Sequence, residues 1–232
     1  MKALFTALLY QPIFNLFVLF YNLIPDVGVT ILLLTVLIKA ITYPFTTASI
    51  KAQKAMTDLQ PKLEAIKVQY KGNQQMIATE TMRIYKENKV SPFGSCLTLL
   101  VQLFISNALY YVLQAGLTGS DFSLLYPFIK NPGQINTVSV GLVDLRATGN
   151  IVLALLAGAA QYWQAKMMIA KRPPKEAGKG GKDEDMMAIM SKQMLYFMPF
   201  LTVGIGFKLP AGLALYWFLS TVLTALQQTF LF

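Results

Sequence analysis

Lys39 is the residue whose type and place most demand a reason. It stands inside the apolar run Val27 to Tyr43, seventeen residues with no other charge. A lysine near the centre of a bilayer costs about 3 kcal/mol or more, and such residues usually mark a site. Position alone leaves a second reading open. Lys39 is four residues from Tyr43, about 6 Å of helix, and a lysine that close to an interface can snorkel to the headgroups. Its neighbours bear on the choice. Thr35, Lys39, Thr42 and Thr46 share one helical face. Further along the chain Trp217, Thr221, Thr224 and Gln228 repeat that spacing, Thr98, Gln102 and Ser106 form a third stripe, and Gln161 and Gln164 a fourth. Lipid-facing helices have little use for such stripes. Helices that line a wet cavity do, and so do helices that hydrogen-bond to one another in a packed bundle. The chemistry on offer is attraction of an acidic group and replacement of lost water, not bond making.

Composition narrows the alternatives. The chain contains no His and a single cysteine, Cys96, which excludes an internal disulfide framework, a His-dependent zinc site and a His-dependent triad. The stretch Gly178-Lys179-Gly180-Gly181-Lys182 lacks the strand, spacing and Ser/Thr of a phosphate-binding loop and reads as a flexible basic loop. No cofactor, metal or nucleotide is expected. Hydrophobic residues make up 55% of the 232 and charged residues 13%, about half the ~25% of a soluble domain. With the apolar residues in long runs, the bilayer is the solvent.

The elements that must position the polar stripes follow from those runs. Residues 1–24 are apolar but interrupted by Gln11, Pro12, Asn15 and Asn22. Pro12 opens a helix whose Phe14, Phe17, Val18 and Tyr21 share a face, which suits an external helix lying in the interface. Residues 25–44 hold the first span, and Pro44 closes or kinks it. Residues 45–90 turn charged and periodic. Leu59, Leu63, Ile66 and Tyr70, a turn at Lys71-Gly72-Asn73, then Ala78, Met82 and Tyr85 predict a cytoplasmic helical hairpin, kinked at Pro61. Residues 91–232 carry four more spans: Phe93 to Leu113, Asn150 to Met168, Gln193 to Phe207 and Ala211 to Phe232. An external loop, 116–149, and a cytoplasmic linker, 169–192, separate them. The fourth span has fifteen residues between Lys192 and Lys208, about 22 Å of helix against ~30 Å of hydrocarbon. A helix that short thins the bilayer or borders a water-filled indentation. The fold class is therefore an all-α membrane protein of five transmembrane helices, with an amphipathic amino-terminal helix outside and a helical hairpin in the cytoplasm.

Charge sets the orientation. Of the 20 Lys and Arg residues, fifteen lie in the hairpin or flank the linker and only Lys2, Lys130, Arg146 and Lys208 lie opposite. By the positive-inside rule the hairpin and linker are cytoplasmic, the amino terminus is outside and the carboxyl terminus inside. The net charge of +9 is then mostly topological and not a nucleic-acid signal.

In order and spacing these pieces resemble the YidC-type membrane insertases, bacterial proteins with mitochondrial and chloroplast relatives. The residues that carry the likeness are Tyr10-Gln11-Pro12-Ile13-Phe14-Asn15, Thr35-Val36-Leu37-Ile38-Lys39 with Tyr43-Pro44, Leu59-Gln60-Pro61-Lys62-Leu63, Tyr70-Lys71 and Tyr85-Lys86-Glu87. They continue with Ser91-Pro92, Cys96 and Gln102, Gln164-Ala165-Lys166-Met167, Met198-Pro199, Pro210-Ala211-Gly212-Leu213, Tyr216-Trp217 and Gln227-Gln228. The resemblance implies a groove open to cytoplasm and lipid, closed on the outer side, with Lys39 where the family has an arginine. Lysine keeps the charge but loses the planar fork. Trp217 and Gln164 match other groove-lining positions, so the expected substrate groove comprises Lys39, Thr35, Thr42, Gln102, Gln164, Trp217 and Thr221. The resemblance does not extend to the large external domain of some members or to the amino-terminal lipid-attachment cysteine of others, so a minimal external part is expected. The implied function is insertion of nascent membrane proteins into the bilayer of a prokaryotic cell membrane by a monomer, with the ribosome and a larger translocon as further partners and no enzymatic step. A small-solute or ion transporter is the alternative. It would need a path open on both sides.

Overall fold

The structure is a computed structural model that describes residues 2–88, 90, 94–118, 122–168 and 193–231. The linker expected at 169–192 lies outside the described residues.

The amino-terminal run is helical from α1 (Lys2–Phe5) through a π-helical turn (Thr6–Tyr10) into α2 (Gln11–Leu23). Ile13, Phe14, Phe17, Val18 and Tyr21 are buried, so the face read from the sequence is the packed one. It meets α3 and α5. Phe17 lies so close to Gly116 that a Cβ there would approach its ring to 2.7 Å. The stretch Thr6–Leu23 is also long and apolar enough to cross a membrane.

α3 (Val27–Gln69) is one helix of 43 residues. Asp26 caps it, accepting the Val29 N–H at 3.0 Å. It runs through both Pro44 and Pro61, so Pro44 does not close it: a proline costs one backbone hydrogen bond, and the helix beyond carries enough periodic contacts to continue. The apolar run and the first arm of the charged segment that follows it are thus one helix. A turn at Tyr70–Asn73, with Gly72 at φ +91°, leads into α4 (Gln74–Glu87), capped by Asn73. Leu59, Leu63 and Ile66 of α3 are buried. On α4 the less exposed positions are Ile77, Thr81, Ile84 and Tyr85, whereas Ala78 and Met82 are exposed. The helix is present, with no fully buried residue, and its less exposed side, which also includes Glu80, is offset by one residue from the one the spacing predicts.

α5 (Gly94–Thr118), α6 (Ile151–Met168), α7 (Met198–Lys208, entered by a π-helical turn at Gln193–Phe197) and α8 (Ala211–Leu231) cover the remaining apolar runs. α5 continues two residues past Gly116, into what the sequence reads as loop. The segment between α5 and α6 holds a small antiparallel hairpin, β1 (Val138–Ser139) and β2 (Val143–Asp144), pairing Val138 with Asp144 and Ser139 with Val143. The sequence reading had only loop here; strands this short leave no period to detect. α8 packs along both α3 and α6, and α7 along α6. Gly158 permits that last approach, since a Cβ would collide with Val203 Cγ2 and lie 3.1 Å from the Pro199 carbonyl.

The apolar core occupies one end of the bundle. It joins Phe14, Phe17 and Val18 of α2, Val27, Ile31 and Leu34 of α3, Leu109, Val112 and Leu113 of α5, and Ala211, Leu213 and Tyr216 of α8, with Ile129 and Leu145 from the segment between α5 and α6. The fully buried members of this core end at Leu34 on α3 and Tyr216 on α8, and half-buried Ile38, Trp217 and Leu219 carry the apolar packing further. Polar side chains join the two helices among and beyond these last residues.

Candidate functional site

The polar bonds between α3 and α8 lie beyond Leu34 and Tyr216. α3 and α8 lie side by side, and on α3 the residues after Leu34 that point at α8 include Lys39, Thr46 and Thr47. Lys39 Nζ donates to Thr224 Oγ1 at 2.9 Å. Thr224 in turn donates to the Ser220 carbonyl at 2.8 Å, which leaves its oxygen lone pairs for the ammonium. Two helical turns further along α3, Thr46 Oγ1 lies 3.1 Å from Gln227 Oε1, with its one proton also within reach of the Thr42 and Tyr43 carbonyls at 3.1 and 3.0 Å, and Gln227 Nε2 donates to Thr47 Oγ1 at 2.8 Å. These bonds form a seam between α3 and α8. Lys39 thus reaches across to the neighbouring helix.

A second polar group joins α5 to α8. Gln102 Nε2 donates to the buried Tyr216 hydroxyl at 3.2 Å and lies 3.5 Å from Ser106 Oγ. Tyr216 is followed one turn later by Ser220, buried, and then by Thr224. The helical register of α8 therefore strings the Gln102–Tyr216 pair and the Lys39–Thr224 pair along one stripe. Gln228, the next member, is 1% exposed, and its Oε1 has no hydrogen-bond partner among the described residues. A buried amide oxygen of this kind costs about 1–3 kcal/mol unless a water or another donor reaches it.

The residues expected to line a groove divide in two. Lys39 and Gln102 make the cross-helix bonds just described. Thr35 is buried beside the apolar core and Thr42 is half-buried, and both hydroxyls donate back to their own helix, to the Ile31 and Ile38 carbonyls at 2.6 and 2.8 Å. Such back-bonding satisfies a threonine inside an apolar helix, so neither hydroxyl proton is free in this conformation. Trp217 and Thr221 are half-buried on α8, with Trp217 packed at the edge of the core, and Gln164 is half-buried on α6. Thr224 and Tyr216 are the partners that the sequence reading named in passing and did not select. Thr224 was legible as the member of its stripe seven residues after Trp217; which of four stripe positions would face Lys39 was not.

Opposite the seam, the chain is tied down by one carboxylate. Asp26 accepts Ser139 Oγ at 2.7 Å and the Val140 N–H at 2.7 Å, besides the Val29 N–H. Partial burial would raise its pKa, but the hydrogen bonds from Val140, Ser139, Val29 and Gly28 outweigh it and hold the carboxyl below the ordinary value of 3.8.

Fold and site together define an α-helical membrane protein whose bundle has an apolar core toward one end and cross-helix polar bonds joining α8 to α3 and α5. The family model described as "60Kd inner membrane protein" matches residues 19–232. The chain is 35% identical over 204 residues to a "Membrane protein insertase YidC" of Fusobacterium nucleatum, covering 88% of this chain and 85% of that one. It is 32% identical over 219 residues to the protein of the same name from Legionella pneumophila strain Corby, where it spans 94% of itself but only 34% of the relative. Among solved structures, one titled "Active YidC insertase crystal structure with the first transmembrane domain resolved" superposes with a TM-score of 0.59 at 26% identity, covering 94% of this chain and 46% of the other. The chain belongs to the 60Kd inner membrane protein family, whose members are the YidC-type proteins of the inner membrane.

Proposed function

We propose that this chain is a membrane protein insertase that works through the polar half of its bundle, without nucleotide and without making or breaking a covalent bond. The observation that carries the reading is the Lys39–Thr224 contact, a cation bonded across two helices beyond the last fully buried members of the apolar core, Leu34 and Tyr216. Apolar packing would seal the end formed by α2, the start of α3 and the external segment. The other end offers hydrogen-bonding side chains to a hydrophilic stretch that must leave water.

In this reading five helices span the bilayer, namely α3 up to about Tyr43, α5, α6, α7 and α8, with the amino terminus outside and the carboxyl terminus in the cytoplasm. The chain α1–α2 lies against them on the outer side. The second half of α3 with α4 projects into the cytoplasm and receives a nascent hydrophobic segment. The hydrophilic flank of that segment enters beside Lys39, Gln102, Gln164, Trp217 and Thr221. Acidic residues are attracted to the ammonium, and the amides and hydroxyls of the seam exchange their mutual bonds for bonds to the substrate. The apolar part of the segment partitions into lipid, gaining roughly 25 cal/mol per Å2 of area removed from water. Nascent membrane proteins and the bilayer are the partners, with the ribosome and a larger translocon as further ones, and a monomer suffices.

The test is reconstitution. Purified protein in liposomes is supplied with a small, single-span substrate carrying a protease-sensitive external tail, and protection of that tail is scored against empty liposomes. Ion and solute flux is measured in the same vesicles. Protection above the empty-liposome level without flux supports the insertase. Flux without protection would replace it with a transporter.

A further inference from the structure

The hairpin β1–β2 turns through Val140 and Gly141, closed by the Leu142 N–H donating to the Ser139 carbonyl at 3.0 Å. Both central residues have positive φ, +52° and +69°. Turns of this kind favour Asn-Gly or Asp-Gly, and a β-branched residue at positive φ is an outlier. Asp26 holds Val140 there by accepting its N–H at 2.7 Å. The side chains on either side of Gly141 are both apolar and both stand clear of the protein, with Val140 73% and Leu142 83% exposed. In water this composition is doubly unfavourable, since asparagine would relax the backbone and solvate the tip.

The surroundings say what covers it. Ser139 sits directly on Gly28, where a Cβ would collide with Ser139 Oγ. Gly28, Leu32 and Val36 lie near one another on the surface of α3, and Leu32 and Val36 are exposed, so this flank looks outward at the bilayer. The hairpin stands at the head of that apolar column, level with the cap of α3. More of the external segment is tied at the same level. Asn22 Nδ2, in the last turn of α2, donates to the Lys130 carbonyl at 2.7 Å. The Gly149 N–H donates to the Phe207 carbonyl in the last turn of α7, and the Gly212 N–H at the start of α8 donates to the Leu145 carbonyl. These three ties are to terminal turns of helices and hold the part of the segment from Lys130 to Gly149 at the end of the bundle, at the height of the headgroups. Its earlier part runs along α2, where Asn15 accepts the Tyr126 N–H at 2.7 Å and donates to the Leu124 carbonyl at 3.0 Å.

We propose that Val140 and Leu142 enter the boundary between headgroups and acyl chains of the leaflet at this end, so that the hairpin anchors the start of α3 in lipid. The strained turn aims two apolar side chains into the interface, and Asp26 links that anchor to the helix that carries Lys39. The proposal rests on the chain being a membrane protein and not on the insertase reading; its test involves no insertion.

A nitroxide at Leu142→Cys, in a Cys96→Ser background of the full chain, is measured in liposomes of phosphatidylethanolamine and phosphatidylglycerol. The comparison is Asn136→Cys, an exposed polar position in the same segment. The label at 142 is expected to collide several-fold more with oxygen and several-fold less with a water-soluble nickel chelate than the label at 136. Val140→Asn suits positive φ and preserves the turn, and it should raise nickel access at 142. Equal nickel access at 142 and 136 would put the tip in water and overturn the proposal. Low access to both oxygen and nickel at 142 would mean burial in protein and overturn it too, as would a Val140→Asn variant that leaves the depth of the label unchanged.

Discussion

Removing the charge at Lys39 should separate function from stability. In Lys39→Met the stem length is nearly kept, while the ammonium and its bond to Thr224 at 2.9 Å are lost. A hydrogen bond to a charged group contributes about 1.5–3 kcal/mol, and holding a lysine within the bilayer costs roughly 2.5–3.5 kcal/mol. The two nearly cancel, so the folded protein should change by less than about 2 kcal/mol in either direction. Attraction of a substrate carboxylate has no such offset. At about 6 Å the pair is worth about 3 kcal/mol at an effective dielectric of about 20 and about 0.7 kcal/mol in bulk water. These limits correspond to roughly 100-fold and threefold in occupancy of the groove. The assay is insertion in cells depleted of their own insertase, with two substrates that differ only in an acidic or a neutral external tail, at matched membrane levels of wild type, Lys39→Arg and Lys39→Met. Wild type and Arg should favour the acidic tail, and Met should lose that preference by a factor between these limits. An acidic-to-neutral ratio that is the same in all three proteins would refute the role assigned to the charge. A Lys39→Met protein that fails to reach the membrane would show that the Thr224 bond is structural.

Three further outcomes are expected. Asp26→Asn should release the external hairpin by about 1–2 kcal/mol, read as faster amide exchange at Val29 and Val140; because the folded carboxyl titrates below its ordinary value of 3.8, the wild-type contribution is full at neutral pH and is lost as pH falls through that lowered pKa, so exchange in the Asn variant should not share this acid dependence. Gly158→Ala should wedge α6 from α7 against Val203 and the Pro199 carbonyl and lower the melting temperature in detergent by an amount equivalent to about 1–3 kcal/mol, whereas Gly204→Ala, with open space around its Cβ, should be neutral or stabilising by up to about 1 kcal/mol. A double-mutant cycle of Gln102→Leu and Tyr216→Phe should give a coupling energy of about 0.6 to 1.7 kcal/mol in thermal or denaturant unfolding; additive effects would mean that the 3.2 Å bond does not contribute.

Much of the bundle was legible in the sequence because lipid imposes a severe rule: a backbone in hydrocarbon must satisfy its own hydrogen bonds, so long apolar runs become helices. The apolar runs that became α3, α5, α6, α7 and α8 were readable as helices on that ground, and the spacing of Phe14, Phe17, Val18 and Tyr21 identified which face of α2 is packed. Lys39 could be singled out because one cation among seventeen residues of an apolar run has no cheap explanation. What periodicity cannot state is rotation and pairing between helices. A stripe of Thr35, Lys39, Thr42 and Thr46 is the same pattern whether its hydroxyls face a cavity or bond back to their own helix. Only the packing of α3 on α8 turned Lys39 toward Thr224 and Thr46 toward Gln227, and left Thr35 beside the core. Pro44 and Pro61 could each have ended α3, and its tertiary contacts decided that neither did. The Asp26 cap joined to Ser139 and Val140 spans more than a hundred residues of chain, a distance over which local propensity carries no information and folding alone brings the groups together.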